Sequence, residues 1–325
     1  MDGNGQDVVK MVPSLNLERY FGMTNPNLEI NIGSMSMKNP VTVASGTFGY
    51  GLEYTEFLDL NDLGGFSTKG LSLKPKAGNP VPRVIETASG MLNSIGLENI
   101  GLDAFLSEKL PLLKMYKTRI IVNFFGETIQ QYEEMALALS KEERIDALEM
   151  NVSCPNVEEG GLQFSSDPET LRQVVDAVRK VTDKFLIVKL SPNVTDITTL
   201  AKAAENAGAD ALSVCNTFVG MKVNLETGKP YLANRTGGLS GPAIKPLAIR
   251  MVYETARAVK IPIIGIGGIS NSDDAIEFLM AGAKAVQIGT ANYIDPKVTV
   301  KVVDGIRDWC RENQISKLAE LKTLE

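Results

Sequence analysis

The chain contains no histidine. That absence removes the side chain that most often carries protons near neutral pH and most often binds metals. Cysteine is nearly as scarce. Cys154, Cys215 and Cys310 are an odd count at wide spacing, which suits neither a disulfide framework nor a zinc site. No apolar run approaches the roughly 18 residues needed to cross a bilayer. Asp2, Asp7, Lys10, Glu18 and Arg19 are scattered through the first 27 residues, where a secretion signal would have an apolar core. The 33 basic residues, set against 39 acidic ones, form no stripe. A nucleic-acid partner is therefore not favoured. The expectation is a cytoplasmic protein with no membrane partner and no metal.

What is present is an ordinary globular composition, 44% hydrophobic and 22% charged over 325 residues. That length is large for one domain, but α/β barrels reach it. Short apolar runs alternate with helical patterns from about residue 40 to residue 313. The expected strands are Val41–Ala44, Gly65–Lys69, Arg119–Phe125, Ala147–Val152, Phe185–Leu190, Ala211–Cys215, Pro262–Gly267 and Ala285–Gly289. The clearest helix is Pro168–Val181, where Leu171, Val174, Val175 and Val178 make one stripe and Asp167 is placed to cap it. Others are expected at Ile129–Leu139, Ile197–Ala207, Ile244–Val259, Asp273–Met280 and Val298–Trp309, with Gly208 and Gly282 at helix ends.

Eight strands buried on both faces and alternating with helices predict a parallel sheet, and eight is the number that closes a (β/α)8 TIM barrel. An open doubly wound sheet should carry G-x-G-x-x-G after its first strand, but that turn reads Ala44-Ser45-Gly46-Thr47-Phe48-Gly49. The barrel is preferred. The alternating Leu28–Gly33 suits an N-terminal β-hairpin at the barrel bottom, and long connections at Leu71–Gly101 and Thr217–Gly241 suit covers over the catalytic face. The second of these predicts a hairpin around Glu226-Thr227-Gly228-Lys229. Residues 1–27 read as an N-terminal extension without an assigned role, 28–313 as the barrel and 314–325 as a C-terminal tail.

In a barrel of this kind the C-terminal strand ends carry the chemistry. Here they end in Ser45-Gly46, Thr68-Lys69-Gly70, Asn123, Asn151 with Cys154, Lys189, Asn216-Thr217, Gly267-Gly268 and Gly289-Thr290. Glycine pairs after strands seven and eight read as a phosphate cradle. An inward lysine is costly unless its charge is used. Lys69 and Lys189 therefore suggest either Schiff-base chemistry or support of an electron-rich or anionic ligand. The several amides favour the second reading and a planar heterocycle, a pyrimidine or a flavin ring. With no histidine, the Cys154 thiol in Asn151-Val152-Ser153-Cys154-Pro155-Asn156 is the next group with a suitable reference pKa, and is the candidate base. Cys215 and Cys310 read as buried filler.

At this point the motifs resemble a known family. Ala44–Gly49, Thr68–Gly70, Asn93-Ser94-Ile95-Gly96-Leu97, Asn151–Asn156, Lys189-Leu190, Asn216-Thr217, Gly265–Ile269 and Gln287–Thr290 look like the class 1 dihydroorotate dehydrogenases, over nearly all of residues 28–313. The resemblance implies FMN in the barrel mouth and oxidation of (S)-dihydroorotate to orotate in de novo pyrimidine (UMP) biosynthesis. It implies FMN contacts from Ser45, Lys69, Gly70, Asn123, Asn151, Lys189, Cys215, Gly241, Gly267, Gly268, Gly289 and Thr290. Substrate contacts are implied for Lys69, Asn93, Ser94, Ile95, Gly96, Leu97, Asn151, Asn156, Asn216 and Thr217. Catalytic roles are implied for Cys154, as base, and for Lys69. Gly46–Gly51 and Asn93–Asn99 look like subtype 1B, which implies a partner subunit with FAD and a [2Fe–2S] cluster, electrons passed to NAD, and a homodimer core within a heterotetramer. The chain itself lacks the cysteines for a cluster. The rival readings are a dihydropyrimidine dehydrogenase-like flavin barrel, a Schiff-base lyase using Lys69 or Lys189, and a non-catalytic scaffold.

Overall fold

A computed structural model describes residues 25–152 and 166–324. At its centre lie eight parallel strands: β1 (Val41–Val43), β2 (Gly65–Ser67), β3 (Arg119–Phe124), β4 (Ala147–Asn151), β5 (Phe185–Lys189), β6 (Ala211–Val214), β7 (Ile263–Ile266) and β8 (Ala285–Ile288). They hydrogen-bond in the order β1-β8-β7-β6-β5-β4-β3-β2. The two ends of that order meet through a small seam. Gly64 N–H donates to the Val41 carbonyl at 3.0 Å, while Asn39 Oδ1 accepts from the N–H groups of Val41 (3.1 Å) and Gly64 (3.0 Å). Asn39 Nδ2 donates to the Asp62 carbonyl at 2.8 Å. A Cβ on residue 64 would lie 2.1 Å from the Asn39 carbonyl oxygen, so this approach requires glycine.

All eight expected strands form, each one or two residues shorter than its apolar run. The reason is visible at the mouth, where the chain leaves the ladder to bond with loops. Lys69 N–H, for instance, donates to the Gly49 carbonyl rather than to β3. Outside the barrel, Pro168–Val181 forms as expected, with Asp167 accepting from Thr170 N–H at 2.7 Å and Leu171, Val174, Val175 and Val178 buried. Helices Ile129–Ser140, Ile197–Asn206, Lys245–Ala258, Ser272–Met280 and Val298–Glu312 complete most of the ring. Gly208 and Gly282 end their helices at φ +92° and +114°.

Two features depart from expectation. After β1 the chain makes 3₁₀ turns at Leu52–Tyr54 and Leu60–Asp62 rather than a helix. After β2 a helical stretch runs from Leu102 to Leu113 through a π-turn at Phe105–Lys109. Its buried residues Leu102, Phe105, Leu110 and Leu113 are spaced three, five and three apart. The five-residue step breaks the 3.6 period in the sequence, and the wider turn accommodates it.

The expected bottom hairpin is present as Ile30–Ile32 paired with Met35–Met37. It turns at Gly33 (φ +56°), where a Cβ would come within 2.9 Å of the Phe185 ring at the start of β5. Arg119, at the start of β3, donates from Nε to the Ser36 carbonyl at 2.7 Å. The C-terminal tail packs beside it, with Asn27 bridging Lys317 and Leu318 buried. At the opposite face the two long connections become one four-stranded antiparallel sheet, in the order Phe218–Met221, Thr236–Ser240, Gly90–Asn93, Val84–Thr87. The expected hairpin also forms, between Val223–Asn224 and Lys229–Pro230. No helix among the described residues is long and apolar enough to cross a membrane.

Gly64→Ala should destabilise the protein by about 3 kcal/mol through overpacking at the seam. Asn39→Ala should cost about 2 kcal/mol by stranding the Val41 N–H donor and the Asp62 carbonyl, while Gly64 N–H keeps the Val41 carbonyl. Urea unfolding followed by circular dichroism measures both, and an unchanged midpoint for Gly64→Ala would show that closure does not need the close approach.

Candidate active site

The barrel interior supplies the floor of the site. Residues at alternate positions of a strand share a face, and the inward positions of several strands here are polar. Glu149 of β4 is wholly buried. Its carboxylate accepts from Asn123 Nδ2 (2.7 Å), Ser213 Oγ (2.7 Å) and Gln287 Nε2 (2.9 Å), joining β3, β4, β6 and β8. Gln287 Nε2 also donates to Ser67 Oγ on β2 at 3.0 Å. A polar layer therefore stands where a barrel core is usually aliphatic.

Above this layer the strand ends open into a cavity of about 750 Å³, roofed by the four-stranded sheet. Every residue that the sequence nominated and that falls within the described residues lines it. Strands β1 to β3 contribute Ser45, Lys69, Gly70 and Asn123, and β4 and β5 contribute Asn151 and Lys189. Cys215, Asn216 and Thr217 follow β6, with Gly267 and Gly268 after β7 and Gly289 and Thr290 after β8. The roof contributes Asn93, Ser94, Ile95, Gly96, Leu97 and Gly241. Cys154 and Asn156 lie outside the described residues.

Local bonding holds these groups in place. Tyr132, on the helix after β3, donates its hydroxyl to the Asn151 carbonyl at 2.8 Å. Asn216 Oδ1 accepts from Thr217 N–H at 2.8 Å, folding the chain back after β6. The Gly267-Gly268 turn has φ +132° and +77°, and added Cβ atoms would meet Ala248 Cβ at 2.7 Å and Lys245 Cβ at 2.8 Å. Backbone is therefore all that fits between the cavity and the start of helix Lys245–Ala258. Lys245 braces that turn by donating to Asp274 Oδ1 (2.6 Å), while Asp274 Oδ2 accepts from Ser270 N–H (2.8 Å).

The electrostatics favour an anionic ligand. Among the described lining residues the cations are Lys69 and Lys189, and the acid is Glu98, which is already paired with Arg83. Lys189 is only 6% exposed and, among the described residues, has no hydrogen-bond or ion-pair partner. Such a charge is expensive to bury unless a ligand uses it. Cys215 lies beside it. Burial pushes the Cys215 thiol up to about 12, against the opposing pull of the Lys189 charge. Two buried polar atoms at the cavity wall, Ser94 Oγ and Asn123 Oδ1, have no hydrogen-bond partner among the described residues. A Cβ on Gly70 would stand 2.9 Å from Asn123 Oδ1. A glycine turn, a buried ammonium and unpaired polar atoms in one cavity together fit a heterocycle with a phosphate tail.

Sequence reasoning missed several lining residues. Asn193 accepts from Val219 N–H (2.9 Å) and donates to the Thr217 carbonyl (3.1 Å), and Ser240 Oγ lies 2.7 Å from Thr290 Oγ1. Asn193 stands four residues beyond Lys189 in an Ser-Pro-Asn turn, a signal that was available in the sequence. Ser240 reaches the site only through the roof sheet and gave no such signal. A second, open hollow of about 520 Å³, lined by Lys114, Lys141, Glu142, Glu143 and Arg144, lies by the loop that enters β4 and holds none of the strand-end residues.

The family model for dihydroorotate dehydrogenase matches residues 27–309. The chain is similar to the catalytic subunit of dihydroorotate dehydrogenase B (NAD(+)) from Thermodesulfovibrio yellowstonii, 55% identical over 296 residues that cover 91% of this chain and 98% of that one. It is 54% identical over 296 residues to the protein of the same description from Trichlorobacter lovleyi, covering 91% and 97%. Among solved structures, DHODH from Eimeria tenella in complex with ferulenol superposes with a TM-score of 0.75 at 22% identity, covering 95% of this chain and 92% of that one. At that identity the likeness speaks to the barrel fold alone.

A thiol held at about 12 should stay unreacted when the native protein is treated with iodoacetamide at mildly alkaline pH, and react once the protein is unfolded. Peptide mass spectrometry reads the modification at Cys215. Rapid native labelling there would show that the thiol is more open than its 2% exposure indicates.

Proposed function

Because the chain belongs to the dihydroorotate dehydrogenase family, we propose that the cavity at the barrel mouth is its active site, with the barrel of residues 28–313 as the FMN-binding unit. The protein is an FMN-dependent oxidoreductase that converts dihydroorotate to orotate in pyrimidine biosynthesis and passes electrons to NAD through a partner subunit. The observation that carries the site assignment is the meeting of Lys69, Lys189, a set of amides and two glycine turns in a single space. The finer partner reading is a subunit with FAD and a [2Fe–2S] cluster, joined to a homodimer of this chain in a cytoplasmic heterotetramer.

The reaction removes a proton from C5 and a hydride from C6 and leaves a C5–C6 double bond. FMN, when bound, supplies the acceptor for the hydride and its two electrons. The chain must supply a base for the proton, and in a protein without histidine we assign that role to Cys154. Lys69, at the end of β2, offers its charge to an anionic substrate, and we assign it the support of the Cys154 thiolate. Asn93, Asn151, Asn156 and Asn216 offer paired donors and acceptors to the ring and carboxylate, with Thr217 beside them. Ser94 to Leu97 close the substrate from the roof. Lys189 gives the cofactor end a fixed positive charge, and the Gly267-Gly268 and Gly289-Thr290 turns offer backbone to a phosphate.

The enzyme purified with its partner should be yellow, lose its visible flavin bands when dihydroorotate is added anaerobically, and reduce NAD. Bleaching by dihydrouracil but not by dihydroorotate would transfer the assignment to the other pyrimidine. Cys154→Ala should keep the flavin spectrum while turnover falls by about 10²–10⁴-fold. Cys154→Ser should retain weak activity that climbs with pH. A wild-type rate of flavin reduction in Cys154→Ala would remove the thiol from the proton transfer.

A further inference from the structure

The buried carboxylate in the barrel has no role in the chemistry described so far. Glu149 is 0% exposed and, among the described residues, has no ion-pair partner. An unpaired charge in a barrel core is a poor way to gain stability, since packed apolar side chains of similar volume usually do at least as well. Its three hydrogen bonds define what it does. A carboxylate only accepts, whereas each neighbouring amide has a donating end and an accepting end of nearly the same shape. Glu149 therefore fixes which way two amides turn. Asn123 must present Nδ2 to Glu149 Oε2, and Gln287 must present Nε2 to Glu149 Oε1.

The other ends of those amides are the atoms left over. Asn123 Oδ1 and Gln287 Oε1 are both buried and, among the described residues, have no partner. Gln287 lies beneath the floor, but Asn123 lines the cavity, and the missing side chain of Gly70 keeps its carbonyl uncovered. The third partner, Ser213, is in register with Lys189, so the same carboxylate borders the strand positions of the floor amide and of the buried cation.

We propose that Glu149 is a positioning residue for the flavin site: its buried carboxylate locks the Asn123 amide with the carbonyl free, so that the cavity floor offers a fixed acceptor to a ring N–H. This inference rests on the flavin reading given above. An amide free to rotate would offer a donor as readily as an acceptor, and the ring would have to select the orientation as it bound. With Glu149 in place the selection is made before the ligand arrives.

The test uses the full-length chain, stripped of flavin, and follows FMN binding by fluorescence quenching, the visible spectrum of the complex and the thermal midpoint without ligand. Glu149→Gln keeps the volume but gives residue 149 one donating and one accepting end, so the Asn123 amide is no longer locked in a single orientation. It should weaken FMN binding by about tenfold or more and alter the flavin absorption envelope. The double variant Glu149→Gln with Gln287→Glu returns a carboxylate to the same layer and lets residue 149 accept again from Asn123. It should recover affinity to within about threefold of wild type. A folded Glu149→Gln with wild-type FMN affinity and spectrum overturns the proposal. So does a double variant that regains thermal stability but not affinity, and so does failure of both variants to fold, which would make the carboxylate a requirement of the barrel alone. If the stripped wild-type chain does not take up FMN, the flavin reading itself falls.

Discussion

Everything the site does depends on closing the eight-stranded sheet on itself. Seven of its strand-to-strand joins are full ladders; the join of β1 to β2 rests on the bond from Gly64 N–H to Val41 and the Asn39 clamp. Closure brings Ser45 after β1 and Lys69 after β2, at the two ends of the strand order, to the same mouth. An open sheet with the same strands would present the same side chains along an edge many strands wide. Parallel strands turn all their C-terminal ends one way, and the barrel then aims those ends at a common centre. The seam is at the bottom of β2, away from the cavity, so the constraint that builds the site is not itself part of it.

Closure also sets the electrostatic problem that the interior must solve. Lys189 and Glu149 are both buried, and neither has an ion-pair partner among the described residues. Neutral dipoles surround the carboxylate instead: one hydroxyl and two amides, drawn from three other strands. The lysine faces the cavity, where an anionic ligand can use it. This separation leaves the cavity with net positive charge. Collapsing the two into a buried pair would have neutralised both and left Lys69 as the cation for the ligand among the described lining residues. The asparagines around the wall serve the same end, since each binds polar ligand atoms without adding charge.

The barrel was largely legible from the chain. Its eight apolar runs are buried on both faces, and the Pro168–Val181 helix could be read to the residue because Asp167, Pro168 and a four-residue apolar stripe agree. The strand-end residues were legible for the same reason, because a polar residue directly after a buried strand has few other places to go. Elements that depend on long-range pairing were not. The roof sheet pairs Gly90–Asn93 with Thr236–Ser240 from a connection far along the chain, and no local pattern in either announces the other. The π-turn hid a helix by moving Phe105 and Leu110 off the ordinary period. Glu149 carried no signal of its own within the expected strand Ala147–Val152, because its meaning lies in partners on β3, β6 and β8.

The absence of histidine now bears on how the active site handles protons. Among the described groups lining the cavity, burial holds the Cys215 thiol near 12 and raises the Tyr293 hydroxyl as well. Glu98 is tied to Arg83, and apart from Lys69 and Lys189 the other polar side chains are amides and alcohols. A site built this way binds through dipoles and the charges of Lys69 and Lys189. Proton transfer can then be assigned to one group without the others competing for the proton. That arrangement suits a thiol as base: its reference value lies near 8.5, within reach of neutrality once a cation is near. With an imidazole elsewhere in the cavity, the pH dependence would report two coupled groups.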